Sequence, residues 1–333
     1  MMGRAHAGLG HYEKAISYME QGIKLFGESV KGREYAHKAV LSLGHVYMKL
    51  GRLDAAEKMM QVHIENCLPS IKAYAVIALK DMYVSSGAYE KAIKLLKMYT
   101  YREKIISEGF YTYMMLSVRR QACTTQREKR LLFWEVKKAL RQYDRDDLRE
   151  LYSDMLAYDF LRVREAISVR EKIKAIRGIV WDQSKHCLLD LIRLNKFLQK
   201  EDEVAHYKKL AVDALYRRIG NQDLDIYDDF INGSPSLRLD SITFLVQFLS
   251  LTGEVALAEK YVAMLELCAL CADCNETSCY DRLEAFGVFY EAKGEIERAY
   301  DYYERAVRER GYSKGYALLC MKRKYGKKWN KEG

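Results

Sequence analysis

Residues 43–60 read LGHVYMKLGRLDAAEKMM and place small residues at fixed distances from a central glycine. Gly44 and Tyr47 stand seven and four residues before Gly51, and Ala56 comes five residues after it. A glycine accepts the positive φ with which one helix can end tightly so that the next can begin. The stretch therefore predicts two antiparallel helices that turn at Gly51 and approach each other closely at Gly44 and Ala56.

The same spacing recurs at five places along the chain. The central glycines are Gly10, Gly51, Gly87, Gly253 and Gly294, and the alanines five residues later are Ala15, Ala56, Ala92, Ala258 and Ala299. Four residues beyond these alanines stand large side chains, namely Met19, Met60, Leu96, Val262 and Tyr303. A pair of helices this small cannot bury its apolar face alone, so the pattern predicts that neighbouring pairs stack.

The composition agrees with a helical chain. Only two of the 333 residues are proline, Pro69 and Pro235, and proline breaks helices by removing a donor and clashing with the preceding turn. The hydrophobic fraction of 49% is enough for a large core. No stretch reaches the ~20 apolar residues of a membrane span, and the N-terminus has no apolar signal core. We therefore expect a cytoplasmic protein with reduced thiols and no membrane partner.

The repeated segments resemble the tetratricopeptide repeat family. The resemblance is carried by LGHVYMKLGRLDAAEKMM at 43–60, FGVFYEAKGEIERAYDYY at 286–303 and GRAHAGLGHYEKAISYM at 3–19. It implies an all-α fold, a right-handed superhelical solenoid of stacked antiparallel helix pairs. The chain departs from the family in its glycine spacings of 36 to 41 residues and in a first repeat that begins at its eighth position, so we expect a truncated first helix or a missing N-terminal part.

The chain is expected to have three parts. Residues 1–100 form N-terminal repeats, 101–239 a divergent basic helical-repeat region, and 240–333 C-terminal repeats with a cysteine-rich loop and a basic tail. The middle is basic because residues 102–177 hold 18 Lys and Arg against 12 Asp and Glu. Within it, EVAHYKKLAVDALY at 203–216 is interpreted as the second helix of another repeat with Ala205 as its small residue, and Ile231 to Pro235 as a loop.

The family resemblance also implies where a partner binds. In tetratricopeptide repeats the first helices of successive pairs line a concave face that holds peptides or helices of other proteins. Carried over position by position, this face comprises Lys38, Leu41, His45, Met48 and Lys49 from the second repeat, and Tyr74, Ile77, Asp81 and Ser85 from the third. His45 and Asp81 stand where chaperone-tail binders of the family carry a carboxylate clamp, so we do not expect chaperone tails as ligands.

Half of the eight cysteines lie in one stretch of twelve residues, at Cys268, Cys271, Cys274 and Cys279. Four thiolates suit a closed tetrahedral zinc site, which would staple the loop and leave no open position for chemistry. The close spacing is less typical of zinc than two separated C-x-x-C pairs, and simple packing of the cysteines, an iron–sulfur cluster or a disulfide remain alternatives. No other cofactor is expected.

No motif in the sequence indicates catalysis. The seven histidines form no zinc-protease spacing, and there is no P-loop, dinucleotide fingerprint or nucleophile elbow. We therefore predict a non-catalytic scaffold that binds a protein or peptide. The alternatives are a peptide-sensing module of a bacterial transcriptional regulator, or RNA binding through the basic middle and the tail at 322–331, where Lys and Arg alternate with aromatic residues. The oligomeric state and the identity of the partner are left open.

Overall fold

The structure is a computed structural model that describes residues 2–8, 10–26, 30–103, 106–178, 181–219, 238–269, 276–309, 316–317 and 319–320. In these ranges every regular element is a helix and there is no β-strand. The all-α helical-repeat class is therefore confirmed. The chain forms two compact units, and their boundary lies between Tyr143 and Asp144. The three-part division of the sequence stays a prediction.

Unit 1 contains, in its described ranges, four consecutive helix pairs. Its helices are α1 (Met2–Gly8), α2 (Tyr12–Phe26), α3 (Val30–Lys49), α4 (Leu53–Asn66), α5 (Pro69–Ser85), α6 (Tyr89–Lys97), α7 (Glu108–Ala122) and α8 (Gln126–Tyr143). A π-helical turn, Met98–Arg102, extends α6. Pro69 occupies the first turn of α5, where its missing N–H costs no helical hydrogen bond.

Unit 2 continues the alternation of first and second helices within the described ranges. Its helices are α9 (Asp146–Asp154), α10 (Val163–Arg177), α11 (Trp181–Phe197), α12 (Glu201–Ile219), α13 (Arg238–Leu251), α14 (Val255–Ala269), α15 (Glu276–Ala292) and α16 (Ile296–Glu309). A π-helical turn, Met155–Asp159, extends α9. One apolar core runs through the unit from Ile173 on α10 to Ala306 on α16 and on to Cys320.

The turn at Gly51 shows how one helix passes into the next. Gly51 has a φ of 71°. Its N–H donates to the Met48 carbonyl at 2.9 Å, and the next N–H, of Arg52, reaches back to the Tyr47 carbonyl at 2.8 Å. These bonds satisfy carbonyls that the end of α3 would otherwise leave open. The Arg52 carbonyl then accepts the first bond of α4, from the Ala56 N–H, so one residue closes one helix and opens the next.

All five glycine turns have this geometry. The φ angles are 74° at Gly10, 71° at Gly51, 76° at Gly87, 86° at Gly253 and 84° at Gly294. In each turn the residue after the glycine donates to the carbonyl of the residue four before the glycine. The five alanines have no solvent-exposed surface, and all five large residues four positions later are buried. The turn and packing roles predicted from the spacing are confirmed.

Small and large residues pack against each other as the pattern predicts. A Cβ added to Gly287 on α15 would lie 2.5 Å from the Tyr303 ring of α16, and one added to Gly3 would lie 2.6 Å from Met19 Cγ. The tyrosine four residues before the glycine joins neighbouring pairs, since the Tyr47 hydroxyl donates to Glu20 of α2 at 3.1 Å. Gly44 differs, because its nearest neighbour is Met82 of the following pair, at 3.4 Å.

The middle of the chain keeps the architecture without the glycines. Leu161 and Gln199 both have φ of 58° and stand at the turns α9–α10 and α11–α12, where the N–H of the next residue again reaches back to a carbonyl of the preceding helical segment. Five residues after them, Ala166 and Val204 are 0% and 4% exposed. The interpretation of Ala205 as the small residue is therefore wrong by one position, because Ala205 faces solvent while Val204 enters the core.

The α7–α8 turn is closed by side chains. The Thr125 hydroxyl accepts a hydrogen bond from the Glu128 N–H at 3.2 Å, and the Glu128 carboxylate accepts one from the Thr125 N–H at 3.0 Å. This reciprocal pair is a capping box, in which two donors at the start of a helix are satisfied by side chains. A threonine followed three residues later by a glutamate is the sequence signal from which the start of α8 can be located.

Replacing Gly51 with alanine tests the turn. We expect Gly51→Ala to lower the free energy of unfolding by about 1–2 kcal/mol, because a Cβ at positive φ meets the following carbonyl oxygen. The matched control is Gly22→Ala within α2, where an added Cβ has no neighbour within 4 Å. There, alanine should stabilise by about 0.5–1 kcal/mol through its higher helix propensity. Urea titration of both variants measures the two shifts, and equal signs would contradict the turn's role.

Candidate functional site

The residues predicted to bind a partner lie on α3 and α5, the first helices of the second and third pairs. On α5 the spacing of Tyr74, Ile77, Asp81 and Ser85 by three and four residues puts them on one side of the helix. The opposite side enters the core through side chains such as Ala75, Val76 and Leu79, all at most 1% exposed. We call the outer set, with Leu41, His45 and Met48 of α3, the first-helix face.

The first-helix face combines exposed and half-buried side chains. Tyr74 is 67% exposed, and Asp81 and Ser85 also face solvent. Leu41, His45, Met48 and Ile77 are half-buried. Asp81 forms an ion pair with Lys80, yet 57% of its side chain stays accessible. Lys38 and Lys49 lie on α3, but their side chains are outside the described part of the chain.

Two first helices of unit 2 present no such face over the residues whose side chains are described. All ten residues from Ser241 to Ser250 on α13 are buried, and so are the residues from Leu283 to Tyr290 on α15. The buried polar side chain of Glu284 on α15 is held by Arg193 of α11 at 3.0 Å and by the Ala317 N–H at 3.1 Å. Among the first helices compared, α3 and α5 of unit 1 are thus the accessible ones.

A cluster of charges occupies the interior of unit 2. The Arg170 side chain on α10 is 7% exposed and reaches Asp154 at 2.6 Å, Asp190 at 3.0 Å and Glu150 at 3.9 Å. Burial alone would lower the pKa of Arg170, but the surrounding carboxylates outweigh burial and raise the pKa above its ordinary value. Burial raises the pKa of Glu150, although Arg170 and Arg177 oppose the shift.

The cluster continues into a cavity of about 560 Å³ at the start of α9. Its carboxylates are Asp144, Asp146 and Asp147, and its arginines include Arg149 and Arg177. Each of the three carboxylates pairs with an arginine, for example Asp146 with Arg177 at 3.2 Å. The arginines offset the negative charges of the three carboxylates at close range. The arrangement is thus suited to holding α9, α10 and α11 together.

Removing the central arginine should destabilise the protein strongly. Arg170→Met removes the buried cation that contacts the half-buried carboxylates of Asp154 and Asp190, and we expect a loss of about 3 kcal/mol in the free energy of unfolding. The control is Arg162→Gln, which breaks the exposed pair with Glu165 and should cost at most about 0.5 kcal/mol. Chemical denaturation separates the two, and a loss below about 1 kcal/mol for Arg170→Met would show that the cluster contributes little.

A pair of histidines joins α3 to α4 in unit 1. His37 Nδ1 and His63 Nε2 are 2.7 Å apart, and His37 is 7% exposed. A bond between two ring nitrogens needs one of them to be unprotonated. Burial, followed by the charge of His37, lowers the pKa of His63 to about 4. The pair is therefore a candidate acid-sensitive contact, and spacing alone could not reveal it, because 26 residues separate the two rings.

Acid should weaken the fold through this pair. Because the pKa of His63 is about 4 in the folded chain and about 6.5 when unfolded, the unfolded chain binds the proton first as pH falls. The stabilisation is complete above about pH 6.5 and is lost between about pH 6.5 and 4. We expect His63→Gln to remove roughly 1 kcal/mol of this pH dependence, since the ring is only partly buried. Urea midpoints of both proteins between about pH 7.5 and 4.5 test this, and parallel curves would contradict it.

The predicted zinc site lies largely outside the described residues. Cys271 and Cys274 fall in the stretch 270–275, and the side chains of Cys268 and Cys279 are not described, although their backbones belong to the ends of α14 and α15. The site stays a prediction. The loop at 231–235 and the basic tail at 322–331 are likewise outside the described ranges. Cys187, in contrast, is a core residue, and burial raises the pKa of its thiol to about 12.

Stacked helix pairs with a shared turn and an open first-helix face define a helical-repeat protein. By comparison with known families, the family described as Tetratricopeptide repeat matches two segments, residues 1–28 and 37–61. These segments therefore carry tetratricopeptide repeats, as the resemblance indicated. No curated protein matches the chain significantly. None of the helices in the described ranges combines the length and the apolar character that crossing a bilayer requires.

Proposed function

We propose that the protein is a non-catalytic scaffold that binds a peptide segment of a partner protein on the first-helix face of α3 and α5. The observation that supports this most is the difference in exposure between the units. On α5 the face holds a tyrosine that is 67% exposed, whereas residues 241–250 of α13 are all buried. Tetratricopeptide repeats generally mediate protein interactions, which agrees with this use of the face.

The side chains of the face suit a short segment that carries both apolar and basic residues. Tyr74 offers a large flat ring that loses little conformational entropy on binding. Met48 is flexible and can adapt to the shape of an apolar side chain. Asp81 keeps more than half of its side chain accessible and can accept hydrogen bonds from a Lys or Arg of the partner. A terminal carboxylate finds no such complement at Asp81.

One part of this proposal is independent of the face. A structural zinc at Cys268, Cys271, Cys274 and Cys279 would staple the connection between α14 and α15 without taking part in binding.

The alternative of a peptide-sensing module of a bacterial regulator uses the same face for a free peptide. No observation on the described residues favours a regulator over a scaffold, and both require peptide binding at the first-helix face.

Peptide selection followed by mutation tests the proposal. A displayed library of random peptides of about 12 residues is selected on the intact protein, and the recovered peptides are titrated against Tyr74→Ala/Asp81→Arg. We expect the affinity of these peptides to fall at least about tenfold. An aromatic side chain that becomes buried on binding and a charge contact each contribute roughly 1 kcal/mol or more to the binding free energy. The recovered sequences should be enriched in aliphatic or aromatic residues next to Lys or Arg.

The matched control changes two exposed residues of α4, the second helix of the second pair. Val62→Ala/Glu65→Arg on α4 also truncates one exposed apolar side chain and reverses one exposed acid. Affinity for the selected peptides should stay within about twofold of the unmodified protein, because surface changes outside an interface have small effects. Recovery of no peptide above background, or equal losses in the two variants, would overturn the proposal.

A further inference from the structure

Helix α8 has an outward side that consists of basic, aromatic and aliphatic residues. Residues at positions 127, 130, 131, 134, 138 and 141 repeat every three or four residues and all face solvent. They are Arg127, Arg130, Leu131, Trp134, Lys138 and Arg141. We call this set the α8 stripe. Its ends are about 21 Å apart at about 1.5 Å per residue.

The apolar side of α8 is buried in the core of unit 1. Leu132 and Val136 are at most 1% exposed, and Phe133 and Ala139 are also buried. Trp134 and Leu131 do not belong to that side, and they are 63% and 59% exposed. A tryptophan that is two-thirds accessible on a well-packed helix is not needed for the fold.

The cations of the α8 stripe have no acidic partner among the described residues. The two acids of α8 are engaged elsewhere: Glu128 closes the capping box, and Glu135 accepts a hydrogen bond from Arg119 of α7 at 2.8 Å. The stripe therefore presents four positive charges without a negative one. Such a row attracts a partner whose negative charges are evenly spaced along a line.

Trp134 lies among these charges and narrows the choice of partner. Lys137 Nζ lies over one face of the indole ring, 5.1 Å from the ring centroid, while the side chain of Trp134 remains 63% exposed. A nucleobase that stacks on the accessible part of the indole would bring its phosphates near this ammonium and the neighbouring guanidinium groups. Stacking on aromatic side chains combined with a basic track is how proteins hold single strands without reading their sequence.

Other anionic partners fit the stripe less well. A helix that lies in an anionic membrane needs a broad apolar side directed at the lipid, but here that side is buried in the protein. A duplex keeps its bases stacked on each other, so an indole on a helix surface has no base face to contact. An acidic peptide would neutralise the cations and leave Trp134 unexplained.

We infer that the α8 stripe binds single-stranded nucleic acid through its phosphates and one stacked base, without selecting sequence or sugar. This interaction surface is separate from the first-helix face and does not depend on the proposed function. Indifference to sugar follows from the stripe itself, because its cations contact phosphate and its indole contacts the flat face of any base.

Fluorescence anisotropy with labelled oligouridylate and oligothymidylate of about 12 nucleotides tests the inference on the intact protein. We expect dissociation constants within about threefold of each other. Four phosphate contacts on a single strand predict a slope of about −3 in the logarithm of affinity against the logarithm of salt, at about 0.7 per contact. Arg130→Gln/Arg141→Gln should reduce the magnitude of the slope by about 1.4.

Trp134→Ala should weaken binding at least about fivefold through the loss of stacking, and Trp134→Phe should restore most of the affinity because the flat ring remains. The control is Lys94→Gln/Lys97→Gln, which removes two exposed cations from α6 of the same unit and should change affinity less than about twofold. Equal losses in this control would mean that net charge alone attracts the oligonucleotide.

Four results would overturn the inference. The first two are no binding of either oligonucleotide at about 50 mM salt and unchanged affinity in Trp134→Ala. The others are competition by polyglutamate as effective as that by unlabelled oligonucleotide, and the equal losses in the control just described.

Vesicles with about 30% phosphatidylserine provide a further arm of the experiment. Binding to them that requires Trp134, together with no binding of oligonucleotides, would identify a lipid surface as the partner instead.

Discussion

The architecture depends on a single backbone conformation that is used again and again. At each of seven helix-to-helix turns in the described ranges one residue has a positive φ, and the N–H that follows it reaches back to a carbonyl five or six residues earlier. This bond fixes the direction in which the chain reverses. Because the direction is fixed, the side chain five residues after the turn residue always enters the core, and a small or β-branched residue stands there. Close packing of the two helices follows from this placement.

The positive-φ turn can be located from the sequence where glycine forms it, but not where another residue forms it. Gly10, Gly51, Gly87, Gly253 and Gly294 could be located by spacing, and their alanines by the same offset. Leu161 and Gln199 adopt the same conformation at a local cost of about 1–2 kcal/mol, which the surrounding packing must offset. No residue type marks such positions, so the middle of the chain looked divergent although its turns at Leu161 and Gln199 have the same backbone conformation as the glycine turns.

The resemblance to tetratricopeptide repeats implied the residues of the first-helix face, but it did not show how exposed each first helix is. Tyr74 and Asp81 were assigned by that resemblance, while the burial of α13 depends on packing within unit 2 that no local pattern encodes. The Arg170 cluster and the His37–His63 contact join residues far apart in sequence. In the sequence, the α8 stripe appeared only as an excess of positive charge. A count of charges along the chain does not show that Glu128 and Glu135 are bonded to other groups, whereas the cations of the stripe have no acidic partner among the described residues.

Closure of every such turn within about half a dozen residues also affects how the molecule acquires its shape. Contacts that are local in sequence form quickly, since little loop entropy is lost before they are made. Several hairpins can therefore appear independently and join by nearest-neighbour docking, as in other linear arrays. Duplication or deletion of one hairpin would then leave the rest of the array able to assemble, which makes the length of such a chain an easily varied property.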